Sequence, residues 1–173
     1  MHIESRDFVD HPASEVYPLV RDHLVDLLPY LPDVEAISVV SYQRTSDTRV
    51  QIVNRWRAKS AIPAVVEKFV GKDVLQWTDT AEWQDDTWRV VYRLVGFGYE
   101  VTGVNTFAPE GKGTRLHVSA DVVIHPEAFR IPRLVFNSVF PKVEGLVRAA
   151  VQPNLTALAR GLQAYYRARP PGA

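Results

Sequence analysis

Residues 141–167 carry apolar side chains at steps of three and four, and this spacing predicts one long amphipathic helix. An apolar stripe of this length has to be buried against another surface of the molecule. Pro153 lies inside the stripe, and its missing N–H group and its ring predict a bend in the helix. The stripe consists of Val143, Val147, Ala150, Val151, Leu155, Leu158 and Leu162.

Six segments between residues 36 and 125 alternate apolar and polar residues and are rich in Val, Thr, Tyr and Trp, which predicts β-strands. Short polar turns separate most of them, so they are expected to form an antiparallel meander. Residues 2–9 predict a further strand. Two short helical pieces follow it, the first with Ser14 as the expected N-cap and Pro18 near its first turn.

Strands that are segregated from one dominant helix predict an α+β fold. A seven-stranded antiparallel sheet must bury one face, and the C-terminal helix is the element long enough to cover it. We therefore expect a curved sheet wrapped around that helix, in a helix-grip arrangement with two short helices after the first strand. Residues 1–168 would form one domain, and residues 169–173 a frayed tail.

Composition excludes several functional classes. Twenty Lys and Arg residues balance twenty Asp and Glu residues, which argues against a nucleic-acid-binding protein. The chain has no cysteine, so disulfides, thiolate metal sites and cysteine nucleophiles are excluded. The histidines lack zinc-site spacing, and no nucleotide-binding loop occurs, so we expect neither a metal nor a cofactor. Without a signal-peptide pattern or a membrane-spanning segment, a cytoplasmic protein is expected.

Strand alternation places several polar side chains on the face of the sheet that should be buried. All four tryptophans fall on this face, including Trp88. A dry core would seldom accept an aspartate and two asparagines without partners, whereas a ligand cavity accepts them readily. A solid core, with Asp79 or Asn105 near a strand end in contact with water, is the alternative. The inner polar residues are Asn54, Asp79, Tyr92 and Asn105.

The order of elements resembles that of the START-type helix-grip (SRPBCC) superfamily, which includes polyketide cyclase/dehydrase and lipid-transport-like proteins. The stretch "DFVDHPASEVYPLVRD" is similar to the first strand, turn and helix of that group. "LPYLPDVEAISVV" is similar to its second short helix and second strand, and the C-terminal amphipathic helix resembles its gripping helix. The resemblance implies an apolar cavity between sheet and helix.

The first hypothesis is binding or transport of a hydrophobic small molecule, such as a lipid, an isoprenoid or a polyketide, in that cavity. A cyclase or aromatase with Tyr92 and Asp79 as catalytic candidates is the second, and an interaction subunit with a filled core is the third. The predicted ligand-binding residues are Asn54, Trp56, Trp77, Asp79, Tyr92, Asn105, Val147, Val151 and Leu155.

The segment 127–140 is apolar and carries few charges. Packing beside the helix is the first expectation. If the segment is exposed, it would suit a homodimer contact or a landing on a membrane surface. The side chains concerned are Phe129, Leu134, Phe136 and Phe140.

Overall fold

The computed structural model describes residues 1–59, 61–70 and 72–169. Residues 170–173 of the expected tail lie outside the described residues. Within the described part, the strands are β1 (His2–Val9), β2 (Val34–Ser46), β3 (Arg49–Ala58), β4 (Gln76–Gln84), β5 (Arg89–Gly96), β6 (Tyr99–Glu110) and β7 (Gly113–Ile124). The α-helices are α1 (Ala13–Asp22), α2 (Ala64–Val70), α3 (Phe136–Thr156) and α4 (Leu158–Ala168).

The described strands form one antiparallel sheet in the order β1-β7-β6-β5-β4-β3-β2. From β2 to β7, each strand pairs with the next along the chain, and β1 closes against β7. This confirms the predicted meander and the α+β class. The register of β2 on β3 shifts at three places, and such bulges bend a strand, so they add to the curvature of the sheet.

Short 3₁₀ segments complete the connections. Leu24–Tyr30 follows α1 and is the second helical piece that the sequence predicts. Lys72–Leu75 follows α2 within the long connection between β3 and β4. Pro126–Ala128 and Arg133–Val135 lead from β7 into α3.

The boundaries of α1 differ from the prediction. The helix begins at Ala13 and Pro12 occupies the cap position, so Ser14 lies inside the helix and does not cap it. Pro18 consequently lies in the second turn, where it removes a backbone donor. The buried side of α1 carries Val16, Tyr17 and Val20, as the apolar spacing indicates.

The C-terminal helix begins earlier than expected. It starts at Phe136, and Pro141 is an interior residue, although prolines are most common in the first turn. The reason is that the apolar stripe continues upstream, because Val139 is buried and Phe140 packs against the core. The inner face of the sheet and the buried side of α3 and α4 together form the core.

Candidate ligand cavity

A cavity of about 100 Å³ lies between the inner face of the sheet and the C-terminal helices. Three tryptophans and a tyrosine form much of its wall, and aliphatic side chains of the strands and of the helical segments form most of the rest. A void of about 150 Å³ admits benzene, and one water molecule takes up about 30 Å³, so the cavity suits a few waters or a compact guest. Its described lining is Val20, Leu24, Leu31, Trp56, Trp77, Asp79, Ala81, Trp83, Val90, Tyr92, Leu94, Asn105, Val151, Leu155 and Leu158.

Cross-strand pairing brings the polar residues of the cavity together. Asn54 of β3 lies directly opposite Asp79 of β4, and Tyr92 of β5 lies opposite Ala81, two residues further along β4. Asn105 of β6 pairs with Val90, two residues before Tyr92. Asp79 and Asn105 occupy the interior of their strands, not the strand ends, and both residues are partly exposed.

Asp79 is the carboxyl group of the cavity. Burial raises its pKa from 3.8 to about 7, because water no longer solvates the charged form. The side chains of Asn54 and Trp56 lie beside it and oppose this rise, although neither forms a hydrogen bond of normal geometry with it. At neutral pH the carboxyl group is therefore present in both protonation states, and it can accept or donate a proton.

Tyr92 supplies a hydroxyl group in the same space. Burial, and secondarily the negative charge of Asp79, raise the pKa of Tyr92 above its usual value, so the phenol stays protonated. The ring lies over Gly103, its cross-strand neighbour, where a Cβ atom would collide with the ring and with the carbonyl oxygen of Ser119. A glycine at position 103 thus creates the space that the Tyr92 ring occupies.

Polar atoms around the cavity lack partners among the described residues. Buried polar groups are normally hydrogen-bonded, and each exception in a native structure calls for an explanation. Here the exceptions include donors and acceptors on neighbouring strands, so they form a local group. They are Asn54 Oδ1, Trp56 Nε1, Asp79 Oδ1, Trp83 Nε1, Tyr92 OH and Asn105 Oδ1.

The register of the sheet determines where the aromatic side chains of the cavity wall lie. Trp56 and Trp77 face each other across β3 and β4, with their rings stacked and the centroids 6.0 Å apart. Trp83 lies further along β4 and packs near Phe107 of β6. Trp88 differs from the prediction: it lies in the turn before β5, with a φ of 48°, and is not a cavity residue.

The cover of the cavity is bent, as Pro153 predicts. The helix is interrupted at Ala157, one turn beyond the proline, between α3 and α4. The hydroxyl group of Thr156 donates a hydrogen bond of 3.1 Å to the carbonyl oxygen of Gln152, a contact that favours bending. Leu155 and Leu158 flank the interruption, are half-buried and line the cavity.

The structure brings seven of the nine predicted ligand-binding residues to the cavity wall. Asn54 is buried opposite Asp79 on the neighbouring strand, and Val147 is fully buried one turn before Val151, so neither is among the lining residues. Val147 lies too early in α3, because the cavity lies beneath the junction of α3 and α4, at Val151, Leu155 and Leu158. The sequence reasoning did not assign Val20, Leu24 and Leu31 to the site, although the apolar spacing of their helices marks them as inward-facing.

The segment 127–140 divides into a buried and an exposed part. Phe129 is buried against Phe97 and Phe140, so the prediction that its ring contacts a dimer partner or a membrane is wrong. Phe136 and Phe140 stack on each other and are half-buried. Leu134 is fully exposed. A contact of this segment with a second copy or with a membrane stays a prediction.

None of the described helices is both long enough and apolar enough to cross a membrane. Within the same residues, no group of three or more His, Asp and Glu side chains is placed to hold a metal ion.

Solved structures with the same architecture define the class of fold. The protein TTHA0849 from Thermus thermophilus is 26% identical, with a TM-score of 0.69 over 97% of this chain and 98% of that one. The Zhui aromatase/cyclase from Streptomyces sp. R1128 is 16% identical, with a TM-score of 0.64 over 100% and 98%. A START superfamily protein from Mycobacterium smegmatis is 11% identical, with a TM-score of 0.51 over 91% and 98%.

These likenesses establish the START/SRPBCC helix-grip fold, which confirms the resemblance seen in the sequence. Within it, the chain belongs to the family described as "Protein of unknown function (DUF2505)", whose model matches residues 6–125. No curated protein matches the chain.

Proposed function

We propose that this protein binds a hydrophobic small molecule that carries one or two polar groups, in the cavity beneath α3 and α4. The observation that carries the proposal is an apolar, aromatic cavity with unpartnered polar atoms of Asp79, Tyr92 and Asn105 around it. Ligand sites have this composition, in which apolar walls provide affinity and a few polar groups fix orientation. The fold shared with an aromatase/cyclase and a START protein supports the same reading.

The size of the cavity restricts the guest. About 100 Å³ is less than the roughly 150 Å³ void that admits benzene, so a single ring needs a small outward shift of the wall, whereas sites for drug-sized molecules have roughly 300–1,000 Å³. A lipid, an isoprenoid or a polyketide would require the cover to move outward. Leu155 and Leu158 at the interruption are the residues to move, because they are half-buried and the helix between them is already broken.

The proposal is tested by titrating the protein with 4-fluorotoluene and following the fluorine NMR signal of this one-ring probe. Val151→Phe places an aromatic ring in the cavity wall in place of the smaller aliphatic side chain, and Ala149→Phe places the same ring on the exposed side of the same helix. We expect saturable binding to the wild type and to Ala149→Phe, and a loss of at least tenfold in Val151→Phe. Equal affinity in all three proteins, or no binding to any, would contradict the proposal.

Native mass spectrometry of freshly purified protein complements this titration. A retained small-molecule mass that is lost in Val151→Phe would support a carrier function. A constant dimer mass without bound species would instead favour the interaction-subunit hypothesis, which the presence of a cavity already weakens.

A second candidate is an enzyme of the cyclase/aromatase type. It is favoured by a buried carboxyl group with a pKa of about 7 in the same cavity as a protonated tyrosine. In such a site Asp79 would accept an α-proton from a ketone, while the Tyr92 hydroxyl donates a hydrogen bond to the developing enolate oxygen.

This candidate is tested by the exchange of the α-protons of cyclohexanone in D₂O, which requires the same proton transfer. We expect protein-catalysed exchange that falls as the pH drops through about 7. Tyr92→Phe should abolish the exchange and leave 4-fluorotoluene binding intact. Equal loss of exchange and binding in Tyr92→Phe would count against the enzyme.

A further inference from the structure

The charge of the cavity wall affects which guests the cavity can bind. Of the described residues that line the cavity, the ionisable ones are Asp79 and Tyr92, and none is Lys, Arg or His. Tyr92 is protonated and neutral, so Asp79 supplies the charge of this wall. A cavity with this lining offers an anion no positively charged partner.

Three arginines near the cavity lie outside its wall. Arg21 of α1 is bound by Asp22 and Asp85, outside the cavity wall. Arg55 and Arg57 of β3 alternate with the inner residues Asn54 and Trp56, and both are exposed on the outer face. None of these three arginines, and no Lys, Arg or His among the described lining residues, is therefore placed to neutralise a negative group in the cavity.

A guest with a carboxylate would place a second negative charge near the Asp79 carboxyl group. Moving an unpaired carboxylate from water into such an environment is strongly unfavourable, and a neighbouring like charge increases the cost. A neutral guest with an O–H or N–H group avoids this cost. It also meets two acceptor oxygens, Oδ1 of Asp79 and Oδ1 of Asn105, that have no partner among the described residues.

Resting on the proposed function, we infer that the cavity selects uncharged, hydrogen-bond-donating molecules of the phenol or alcohol class and rejects carboxylates, with Asp79 as the selecting residue. The apolar wall admits the ring of such a molecule, and the free oxygen atoms receive its hydroxyl group. A hydrogen bond to a carboxylate is among the stronger ones, which makes Asp79 the principal acceptor.

The inference is tested with three one-ring probes of similar size, namely 4-fluorophenol, 4-fluoroanisole and 4-fluorobenzoate, followed by fluorine NMR. At neutral pH the phenol is uncharged and can donate, the anisole is uncharged and cannot donate, and the benzoate is an anion. We expect the phenol to bind at least tenfold more tightly than the benzoate and about fivefold more tightly than the anisole.

Asp79→Asn removes the charge at nearly constant shape and should reduce the phenol-to-benzoate ratio severalfold. Asp121→Asn is the matched control, because Asp121 is exposed on β7 beside His2 and should leave the ratio unchanged. Benzoate binding as tight as phenol binding in the wild type, or a ratio that Asp79→Asn does not alter, would overturn the inference. If 4-fluorotoluene binds while the ratio is reversed, the cavity function stands and only the selectivity is wrong.

Discussion

The two ends of the protein interior, one at Tyr17 and the other at Tyr92, differ in how the buried tyrosine hydroxyl group is hydrogen-bonded. The hydroxyl group of Tyr17 on α1 donates a hydrogen bond of 3.1 Å to Asp85, which also binds Arg21. The hydroxyl group of Tyr92 on β5 is also buried but has no partner among the described residues. Both rings are buried in the hydrophobic core, so the difference lies in their hydroxyl groups.

The two tyrosines represent polar groups that are satisfied within the protein and polar groups that are not. The Tyr17 hydroxyl, the Arg21 guanidinium and the Asp85 carboxylate are hydrogen-bonded to one another, and this network ties α1 to the turn between β4 and β5. Around Tyr92, the carboxyl, amide and indole groups have unused hydrogen-bonding capacity. Unused capacity lowers stability, and a fold retains it where a guest or water makes the missing bonds.

The largest effect is expected from Asp79→Asn at the Tyr92 end. The pKa of Asp79 is about 7 in the folded protein and 3.8 ordinarily, so the folded state holds this proton more tightly. Raising the pH from about 4 to about 7 therefore destabilises the wild type, through this group, by on the order of 4 kcal/mol. Asp79→Asn should lack this part of the pH dependence, as measured by urea unfolding across that range.

The wild-type and variant curves should separate as the pH rises and stay apart above about 7. Other carboxyl groups change stability equally in both proteins, so the difference between the curves isolates Asp79. If the stabilities of the wild type and of Asp79→Asn changed in parallel with pH, Asp79 would not be desolvated. The difference between the Tyr17 end and the Tyr92 end would then be contradicted.

A smaller effect, about 3 kcal/mol of lost stability, is expected from Asp85→Ala at the Tyr17 end. The substitution leaves the mostly buried Arg21 guanidinium with one carboxylate and leaves the Tyr17 hydroxyl without an acceptor. Asp86→Ala is the matched control, because Asp86 is exposed and pairs with Arg49 at the surface. Chemical unfolding should show a much smaller change for the control; equal losses would argue against a buried network.

The smallest effects are expected from removing each tyrosine hydroxyl group. Tyr17→Phe should lose about 2 kcal/mol, because a hydrogen bond to a charged group is broken. Tyr92→Phe should change the free energy of unfolding by less than about 0.5 kcal/mol, since no hydrogen bond is lost. The two values are measured by thermal and urea unfolding. A large loss in Tyr92→Phe would reveal a structural bond and remove the contrast.

The sheet and its inner residues could be predicted because strand periodicity is two. Asn54, Asp79 and Tyr92 face inward because they alternate with outward arginines and threonines. Trp88 packs against the core as alternation predicts, but it lies in the turn before β5, which begins at Arg89, and its left-handed conformation is not encoded by alternation.

The cavity itself could be expected but not located from the sequence. Leu24 and Leu31 reach it because α4 packs close to the 3₁₀ segment, where Gly161 lies against Leu31 and the carbonyl oxygen of Tyr30. Such docking depends on contacts between elements far apart in the chain. The bend could be anticipated from Pro153, but its position at Ala157 depends on Thr156 and on the packing of α4.

The central claim is that the interior beneath the bent helix receives a guest. The most direct test is a crystal of the protein soaked with 4-bromophenol and measured at the bromine absorption edge. We expect an anomalous peak among Trp77, Tyr92 and Val151, with the phenol oxygen next to Asp79 or Asn105. Bromine bound only at the outer surface, with the interior unchanged, would contradict it.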